Sequence, residues 1–544
     1  MQSLQNFIGA GILLAFLANQ AQGKDPDSPQ QPSTQLQPNE IPKSNQTIKI
    51  ERFRFVGNTV FTSKELERVL APYLAKEVTF VQLLEARSLI TKIYTDQGYI
   101  NSGAFIPITE NQNLDRNHAD VTIKIIEGRL SEVNITGSRL LKYYTRQRLP
   151  GPGSILNSQR LLKALQLLQQ DPLIESITSQ LVGGSQLGES ILNVQVKEKQ
   201  PIEFDTNIDN LRSPGIGSFE RGATLSDANL FGLGDTLKIQ YQNTVGSNTE
   251  SVAYSIPVNP QNGTINLGFT NISASIVQVP FNALDILSNV RDYEVSYRQP
   301  VIRQASEKGF QELALGITGS YLESESSLLS QPYPLSAGAD SQGRTRISEI
   351  GFFQEWAKRS NNQSIFARSL FDVGVGALGA TLNSAPPDSR FFVWQGQGLW
   401  EQKLASDGTS IVLKGNIQLA DRPLVPLTQF SLGGINSVRG YRQDTYLTDN
   451  GVVFSTELHI PAWNQNNQEL QVIPFFDFGT AWNNSTSTTS SSGTLASVGL
   501  GLQYQINNRL NAQIDWGIPI IPIAKLGNTW QENGIYFTVK YRLF

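Results

Sequence analysis

The chain has 544 residues, a formal net charge of −4, 39% hydrophobic and 17% charged residues, no cysteine, one methionine and two histidines. That balance leaves no basic footprint for nucleic acid, and absent cysteine rules out a disulfide framework. The charged fraction is low for a soluble protein. At the start, Ile8–Ala18 (IGAGILLAFLA) is an apolar run followed by Ala21 and Gly23 in a small-x-small arrangement. This predicts a signal peptide over residues 1–23, although the preceding MQSLQNF carries no Lys or Arg. The run is too short for a spanning helix, and no later segment reaches the ~20 continuous apolar residues a span needs. Residues 24–46 are rich in Pro, Gln, Ser and Asn and read as an extended linker.

From Thr47 to Lys199 the pattern predicts small soluble modules. Ile48, then Glu51–Val56 with Gly57-Asn58, give a strand ending in a turn, and Thr62–Leu74 and Thr79–Tyr99 have helical spacing. Thr62, three residues before Glu65, is an N-cap with a capping-box partner. Strands around Ala104–Thr109 and Ala119–Glu127 complete a β-α-α-β-β order. The order recurs: VNITGS at 133–138, helices near Leu140–Arg148 and Asn157–Gln170, strands near Ser176–Leu181 and Ile191–Glu198. The paired strand ends Phe55-Val56-Gly57-Asn58 and Ile135-Thr136-Gly137-Ser138 mark the repeat. This order resembles the polypeptide-transport-associated (POTRA) domain, here in two copies, 47–129 and 130–200. An edge strand beside a helix in such a domain is a site where an extended peptide can add as a further strand; the alternative is a plain spacer.

Beyond Pro201 strict alternation takes over. Leu510, Ala512, Ile514, Trp516 and Ile518 share one face, and Asn511, Gln513, Asp515 and Gly517 the other. Val498, Leu500, Leu502 and Tyr504 alternate in the same way with small and polar residues, as do Leu237, Ile239 and Tyr241. One apolar and one polar face over ~10 residues, repeated in about sixteen strands across 201–544, is the pattern of a transmembrane β-barrel. A soluble sandwich is the alternative. Connections after even-numbered strands read as short, near Phe231–Gly234, Asn259–Gly263, Asn361-Asn362, Ser406–Gly408 and Asn507-Asn508. Those after odd-numbered strands are mostly long, as in Glu323–Gly343, Ala377–Ser389, Ala420–Tyr446 and Asn483–Gly493, which makes them external. The expected fold is therefore α+β tandem POTRA domains followed by an all-β antiparallel barrel, its external loops including one over 420–446.

That loop, between strands eleven and twelve, contains QFSLGGINSVRGYRQD (Gln429–Asp444), where Gly433, Gly434 and Gly440 allow compact folding around Arg439. Together, the signal peptide, the two repeats, the barrel and Val438-Arg439-Gly440-Tyr441 resemble the outer-membrane transporter of two-partner secretion, the haemolysin-activator and filamentous-haemagglutinin-transporter family. Ser213–Leu237 resembles the start of that family's barrel, and Phe475-Phe476-Asp477-Phe478-Gly479 its strand-thirteen motif. The resemblance implies that the sixth external loop folds into the barrel and that Arg439 meets Asp477. Parity agrees. Val472, Pro474, Phe476 and Phe478 form one face of strand thirteen and Phe475, Asp477 and Gly479 the other, and a carboxylate facing lipid is costly, so Asp477 is expected in the lumen. Glu457 and His459 point inward by the same rule, and Glu457 stands as a second candidate partner of Arg439.

Two features depart from the family. Its plug helix is opposed by Pro26, Pro29, Pro32, Pro38 and Pro42, and terminal Phe544 falls on the face opposite Ile535, Phe537, Val539, Tyr541 and Leu543. For catalysis there are only His118 and His459, and neither a P-loop nor HExxH is present. A serine-protease arrangement on His459 is outweighed by a polar wall histidine, so the chain reads as a non-enzyme with no cofactor and no metal. The expected function is a monomeric polypeptide transporter in the outer membrane with periplasmic POTRA domains. It captures an unfolded exoprotein, which the resemblance makes β-helical, and conducts it outward without ATP. An outer-membrane insertase is the alternative, and a passive porin leaves the repeats and the arginine loop unexplained.

Overall fold

The computed structural model describes residues 47–107, 118–137, 140–306, 308–484 and 492–544. The expected signal peptide, linker and plug position lie outside these residues, as do the end of the strand expected to reach Thr109 and most of the Asn483–Gly493 loop. Contacts divide the described chain into two compact units that meet at Glu198-Lys199.

In the amino-terminal unit, β1 (Thr47–Val56), β2 (Glu77–Thr79), β3 (Gly103–Phe105) and β4 (Ala119–Ile126) form a sheet in the order β2-β1-β4-β3. β1 and β4 are parallel, a pairing that requires the helical crossover between them. Helix Ser63–Leu70 begins on the expected capping box: Thr62 Oγ1 accepts from Glu65 N (3.3 Å) and Glu65 Oε2 accepts from Thr62 N (2.8 Å). It stops at Leu70, short of the expected Leu74. Pro72 lacks an N–H and its ring clashes with the preceding turn, so Ala71–Tyr73 tightens into a 3-10 turn. Helix Phe80–Asp96 carries a second capping box, Thr79 with Gln82, and lays Leu83, Ala86, Ile90 and Tyr94 on Ile50, Phe53, Val121 and Ile123. The second sheet has β5 (Arg129–Thr136), β6 (Ile174–Gly183) and β7 (Glu189–Glu198) in the order β5-β7-β6, crossed by helices Leu141–Arg148 and Ser158–Gln169. Both repeats turn after the first strand on a glycine of positive φ, Gly57 (+90°) and Gly137 (+88°). A Cβ there would strike the carbonyl oxygens of Ile125 and Val196 respectively, so the same backbone approach is built twice.

Buried Glu127 joins the first repeat's strand-end turn to its long helix. Its carboxylate accepts from Thr59 N (2.6 Å), Val60 N (2.7 Å), Tyr94 Oη (2.9 Å) and the Thr59 hydroxyl. Burial pushes this carboxyl upward, but the donors from Thr59, Val60 and Tyr94 outweigh it and hold the group below its ordinary range. Burial, followed by the same hydrogen bond, pushes the Tyr94 phenol up.

The second unit is a closed antiparallel barrel of sixteen strands from Ile202 to Arg542. The strands used below are the first (Ile202–Asp209), second (Glu220–Asp227), seventh (Gly309–Leu328), eighth (Arg344–Ser360), eleventh (Ser410–Ala420), twelfth (Asn450–Gln465), thirteenth (Gln468–Trp482), fourteenth (Gly493–Ile506), fifteenth (Leu510–Pro519) and last (Ile535–Arg542). Alternation sets which face meets lipid. Ile514, Trp516, Ile518, Val498, Leu500, Phe476 and Phe478 are exposed, while Asp477, Asp515 and Ser497 between them are buried. Turns on one rim are as short as 361–362 and 466–467, and on the other connections run to 376–390, 421–449 and 520–534. The third-to-fourth connection, 244–246, is a short one on the long-loop rim.

Two expectations are corrected. Strand seven continues to Leu328, so its following loop starts after Leu328 and not at Glu323: outward Glu323 pairs with Arg346 of strand eight (2.8 Å), which carries the ladder past the apolar band. Phe544 does not stay on the face its parity assigns. The regular register of the last strand ends at Arg542, beyond which Leu543 N donates to Phe204 O (2.9 Å) and Phe204 N to Phe544 O (3.3 Å). This bulge shifts parity by one and lets the Phe544 ring stack on Phe204 of the first strand, centroids 6.0 Å apart. Phe204 shares its parity with exposed Ile202 and Ile208, so Phe544 joins the lipid-facing side.

Candidate functional site: the sixth external loop

Connection 421–449 turns inward. Phe430–Leu432 pairs antiparallel with Tyr446–Thr448, and this hairpin carries Gly433–Thr445 against the wall. Phe430, Leu432, Val438 and Tyr441 pack with Val453, Ala481 and Leu495, apolar residues on the inner side of strands twelve to fourteen. Gly479 makes the seat possible: a Cβ there would meet Leu432 and would lie 3.0 Å from Val453 and 3.1 Å from Val438.

Arg439, 3% exposed, is the centre of the arrangement. Its Nε and Nη2 donate to Asp477 Oδ2 (2.8 Å) and Oδ1 (2.9 Å), and its backbone N donates to Asp477 Oδ2 (3.1 Å). Such a two-bond fork fixes the guanidinium plane as well as its charge. Nη2 also lies 3.0 Å from Glu457 Oε1, and Nη1 3.4 Å from Asp515 Oδ1. Ser455 Oγ donates to Asp477 Oδ1 (2.6 Å) and accepts from Arg439 Nη2 (3.3 Å). Phe475 supplies the floor, its ring centroid 3.4 Å from the guanidinium carbon, so the cation is held by a π-face as well as by anions. Glu457 is in turn bound by Lys414 Nζ (2.8 Å) and His459 Nε2 (3.0 Å), which makes His459 a wall residue partnered to Glu457 and Gln471.

The other motif residues hold the loop. Gly440, with φ of +92°, lies against Gly517 of strand fifteen. Tyr441 Oη donates to Ala496 O (2.7 Å) and lies 2.8 Å from Ile521 O, and its carbonyl accepts from Tyr536 Oη. Arg442 extends the hold to Gln278 Oε1 (2.7 Å) and Glu532 Oε1 (3.4 Å). The structure thus brings Val438, Arg439, Gly440, Tyr441, Glu457, Phe475, Asp477 and Gly479 into one buried assembly. Sequence reading missed Asp515, Ser455 and Gly517. The signal was there: Asp515-Trp516-Gly517 repeats the Asp-aromatic-Gly spacing of Asp477-Phe478-Gly479, so both strands offer an inward carboxylate beside an inward gap.

Nothing in this constellation is a catalytic device. A guanidinium fixed by three carboxylates and a ring, on a loop with its own apolar pocket, is a clamp.

Comparison with known proteins gives the same direction. The model of the haemolysin secretion/activation protein family ShlB/FhaC/HecB matches residues 188–504, and that of the ShlB-type POTRA domain matches residues 48–128. The outer membrane transporter CdiB of Dickeya dadantii (strain 3937) is 24% identical over 427 residues, 76% of this chain and 72% of that protein. The heme/hemopexin transporter protein HuxB of Haemophilus influenzae (strain 86-028NP) is 22% identical over 485 residues, 82% and 79% of the two chains. In fold, the chain is similar to CdiB from Escherichia coli, with a TM-score of 0.70 at 17% identity over 100% of this chain and 97% of that one. The structure of BamA from Haemophilus ducreyi lacking POTRA domains 1–3 is similar at a TM-score of 0.54 and 15% identity, over 91% of this chain and 100% of that one. The ShlB/FhaC/HecB match spans more than half of the chain, which therefore belongs to this family of two-partner secretion transporters of the outer membrane, with POTRA domains on the periplasmic side.

Proposed function

We propose that this chain captures an unfolded exoprotein on its POTRA repeats and conducts it through the barrel without ATP, with the sixth loop as the gate and Arg439 fixing the seat from which that gate must work for export. The observation that carries this reading is the clamp itself, since a loop seated in the lumen by one arginine on Asp477, Glu457 and Asp515 occupies the path a polypeptide would take. Capture is supported by β6, a ten-residue strand with β7 as its one strand neighbour among the described residues and helix Ser158–Gln169 packed beside it, which leaves a row of backbone groups for an added strand. In this reading residues 1–23 are a cleaved export signal, 24–46 a linker, 47–129 and 130–200 the capture domains, and 201–544 a barrel acting as a monomer. The partner is a β-helical exoprotein of the haemagglutinin or haemolysin kind, the lipid of the outer membrane is the barrel's solvent, and no cofactor takes part.

The test is deletion of residues 47–199, with export of the exoprotein partner as the readout. Export should be lost while the barrel still shows heat-modifiable migration. Cargo reaching the medium at normal levels would refute capture by the repeats. Cargo that instead stayed embedded in the membrane in the full-length protein would favour insertion over secretion.

A further inference from the structure

The barrel closes on its thinnest ladder. The first and last strands pair in regular register over Asp205–Asp209 against Thr538–Arg542, with a bulge beyond it where Phe204 bonds Leu543 and Phe544, whereas the first pairs with the second along its whole length, Ile202–Asp209. Where the ladder ends on the external side, Asn210 continues it with both backbone and side chain. Its N donates to Phe537 O (3.3 Å), its Oδ1 accepts from Phe537 N (2.8 Å), and its Nδ2 donates to Ile535 O (3.0 Å).

One buried side chain joins that seam to the sixth loop. Gln531 lies in the last external connection, on the 3-10 turn Gln531–Asn533, and is 0% exposed. Its Nε2 donates to the carbonyls of Asn210 and Arg212 (the latter at 2.8 Å), at the exit of the first strand. Its Oε1 accepts from Gln443 N (3.0 Å), four residues past Arg439 on the loop. A buried amide loses a bond it cannot replace with water if either neighbour leaves, so the seat of the loop and the closure of the seam share one set of partners. The flanking contacts act in the same direction: Arg442 with Glu532, and Tyr536 Oη on the carbonyl of Tyr441.

We propose that Gln531 is a positioning residue for export that couples withdrawal of the sixth loop to loosening of the first-to-last strand seam. The inference rests on the reading of the sixth loop as the gate. Because coupling between two equilibria is reciprocal, loosening the seam must also weaken the loop's seat by the same factor.

Hydrogen exchange on the full-length folded protein in bilayer discs tests it. Arg439→Ala, which unseats the loop from the far side, should speed exchange of 438–443 and also of 535–539, the latter by about tenfold. In a Gln531→Ala background the seam should already exchange faster, and Arg439→Ala should then free the loop with a much smaller further effect on 535–539, the remainder carried by Tyr536 and Arg442. Gln531→Glu separates the two halves. It keeps an acceptor for Gln443 N but sets oxygen against two carbonyls, so it should loosen the seam first and the loop less.

The proposal is overturned if Arg439→Ala frees the loop while 535–539 exchange at the wild-type rate, or if its effect on the seam persists undiminished in Gln531→Ala. Should Gln531→Ala fail to assemble, the comparison of Arg439→Ala with wild type, and of each with Gln531→Glu, still decides. Normal export by Arg439→Ala with the seam effect present would refute the gate and leave the coupling standing.

Discussion

Gly440 and Gly517 meet backbone against backbone: a Cβ on Gly517 would stand 2.5 Å from Gly440 N, and one on Gly440 3.1 Å from the Gly517 carbonyl. Because Gly440 follows Arg439 directly, this contact sets how deep the guanidinium reaches toward Asp477 and Asp515.

Gly517→Ala should therefore impair export without removing any charge. Overpacking of this kind costs about 1–3 kcal/mol, enough to lift the loop while leaving a ladder residue that any strand accepts. Exported cargo and folded-barrel abundance are measured together, and normal export with a normal barrel would show that the loop tolerates a shallower seat.

The clamp itself predicts unequal single mutants. Arg439→Ala leaves Asp477, Glu457 and Asp515 facing one another, a loss of about 3–5 kcal/mol for a broken buried pair, whereas Asp477→Ala leaves the arginine two carboxylates. Secretion should fall more in Arg439→Ala than in Asp477→Ala, and the double mutant should be little worse than Arg439→Ala alone, since both changes remove one interaction. The swap Arg439→Asp with Asp477→Arg should recover only part, because the fork geometry does not transfer to a new backbone position. Additive losses in the double mutant would mean that the two residues act separately.

Glu127 predicts how the first repeat responds to acid. Its folded-state pKa is depressed, so its contribution to stability is complete above the unfolded carboxyl pKa of about 4.3 and is lost as pH falls through the lower folded value. The thermal midpoint of a 47–198 fragment should be flat from neutral pH down to about 5 and fall below about 4. Glu127→Gln should lower it by about 5–10 °C at pH 7 and flatten the acid limb, from hydrogen bonds to a charged group worth about 1.5–3 kcal/mol. An acid limb unchanged in Glu127→Gln would assign it to other carboxylates.

The stack of Phe204 on Phe544 separates two roles for the terminal aromatic. If the ring closes the seam, Phe204→Ala and Phe544→Ala should both lower the yield of heat-modifiable barrel, by the ~0.5–1.5 kcal/mol an aromatic pair contributes. If Phe544 serves only as a recognition signal during assembly, Phe204→Ala should leave the yield untouched.

The barrel and the two repeats were written in the sequence because both depend on local rules. A lipid-facing strand must alternate with period two, as Leu510–Ile518 does, and a helix must begin on a cap, as Thr62 and Glu65 provide. The inward face of Asp477 follows from parity alone, and its pairing with Arg439 was implied by family resemblance. What no local rule could supply is the meeting of distant segments. Asp515 lies 76 residues from Arg439 and Gln531 lies 88 from Gln443, and only closure of the cylinder puts the fifteenth and last strands beside a loop that leaves the eleventh. Phe544 shows the same limit: its parity was legible, but Leu543 and Phe544 both bond the backbone of Phe204, a bulge that shifts the alternation by one and turns the ring toward Phe204. Alternation fixes which way a side chain points within a strand, and tertiary structure decides what it meets there, because in a closed sheet the partner is chosen by register and not by sequence distance.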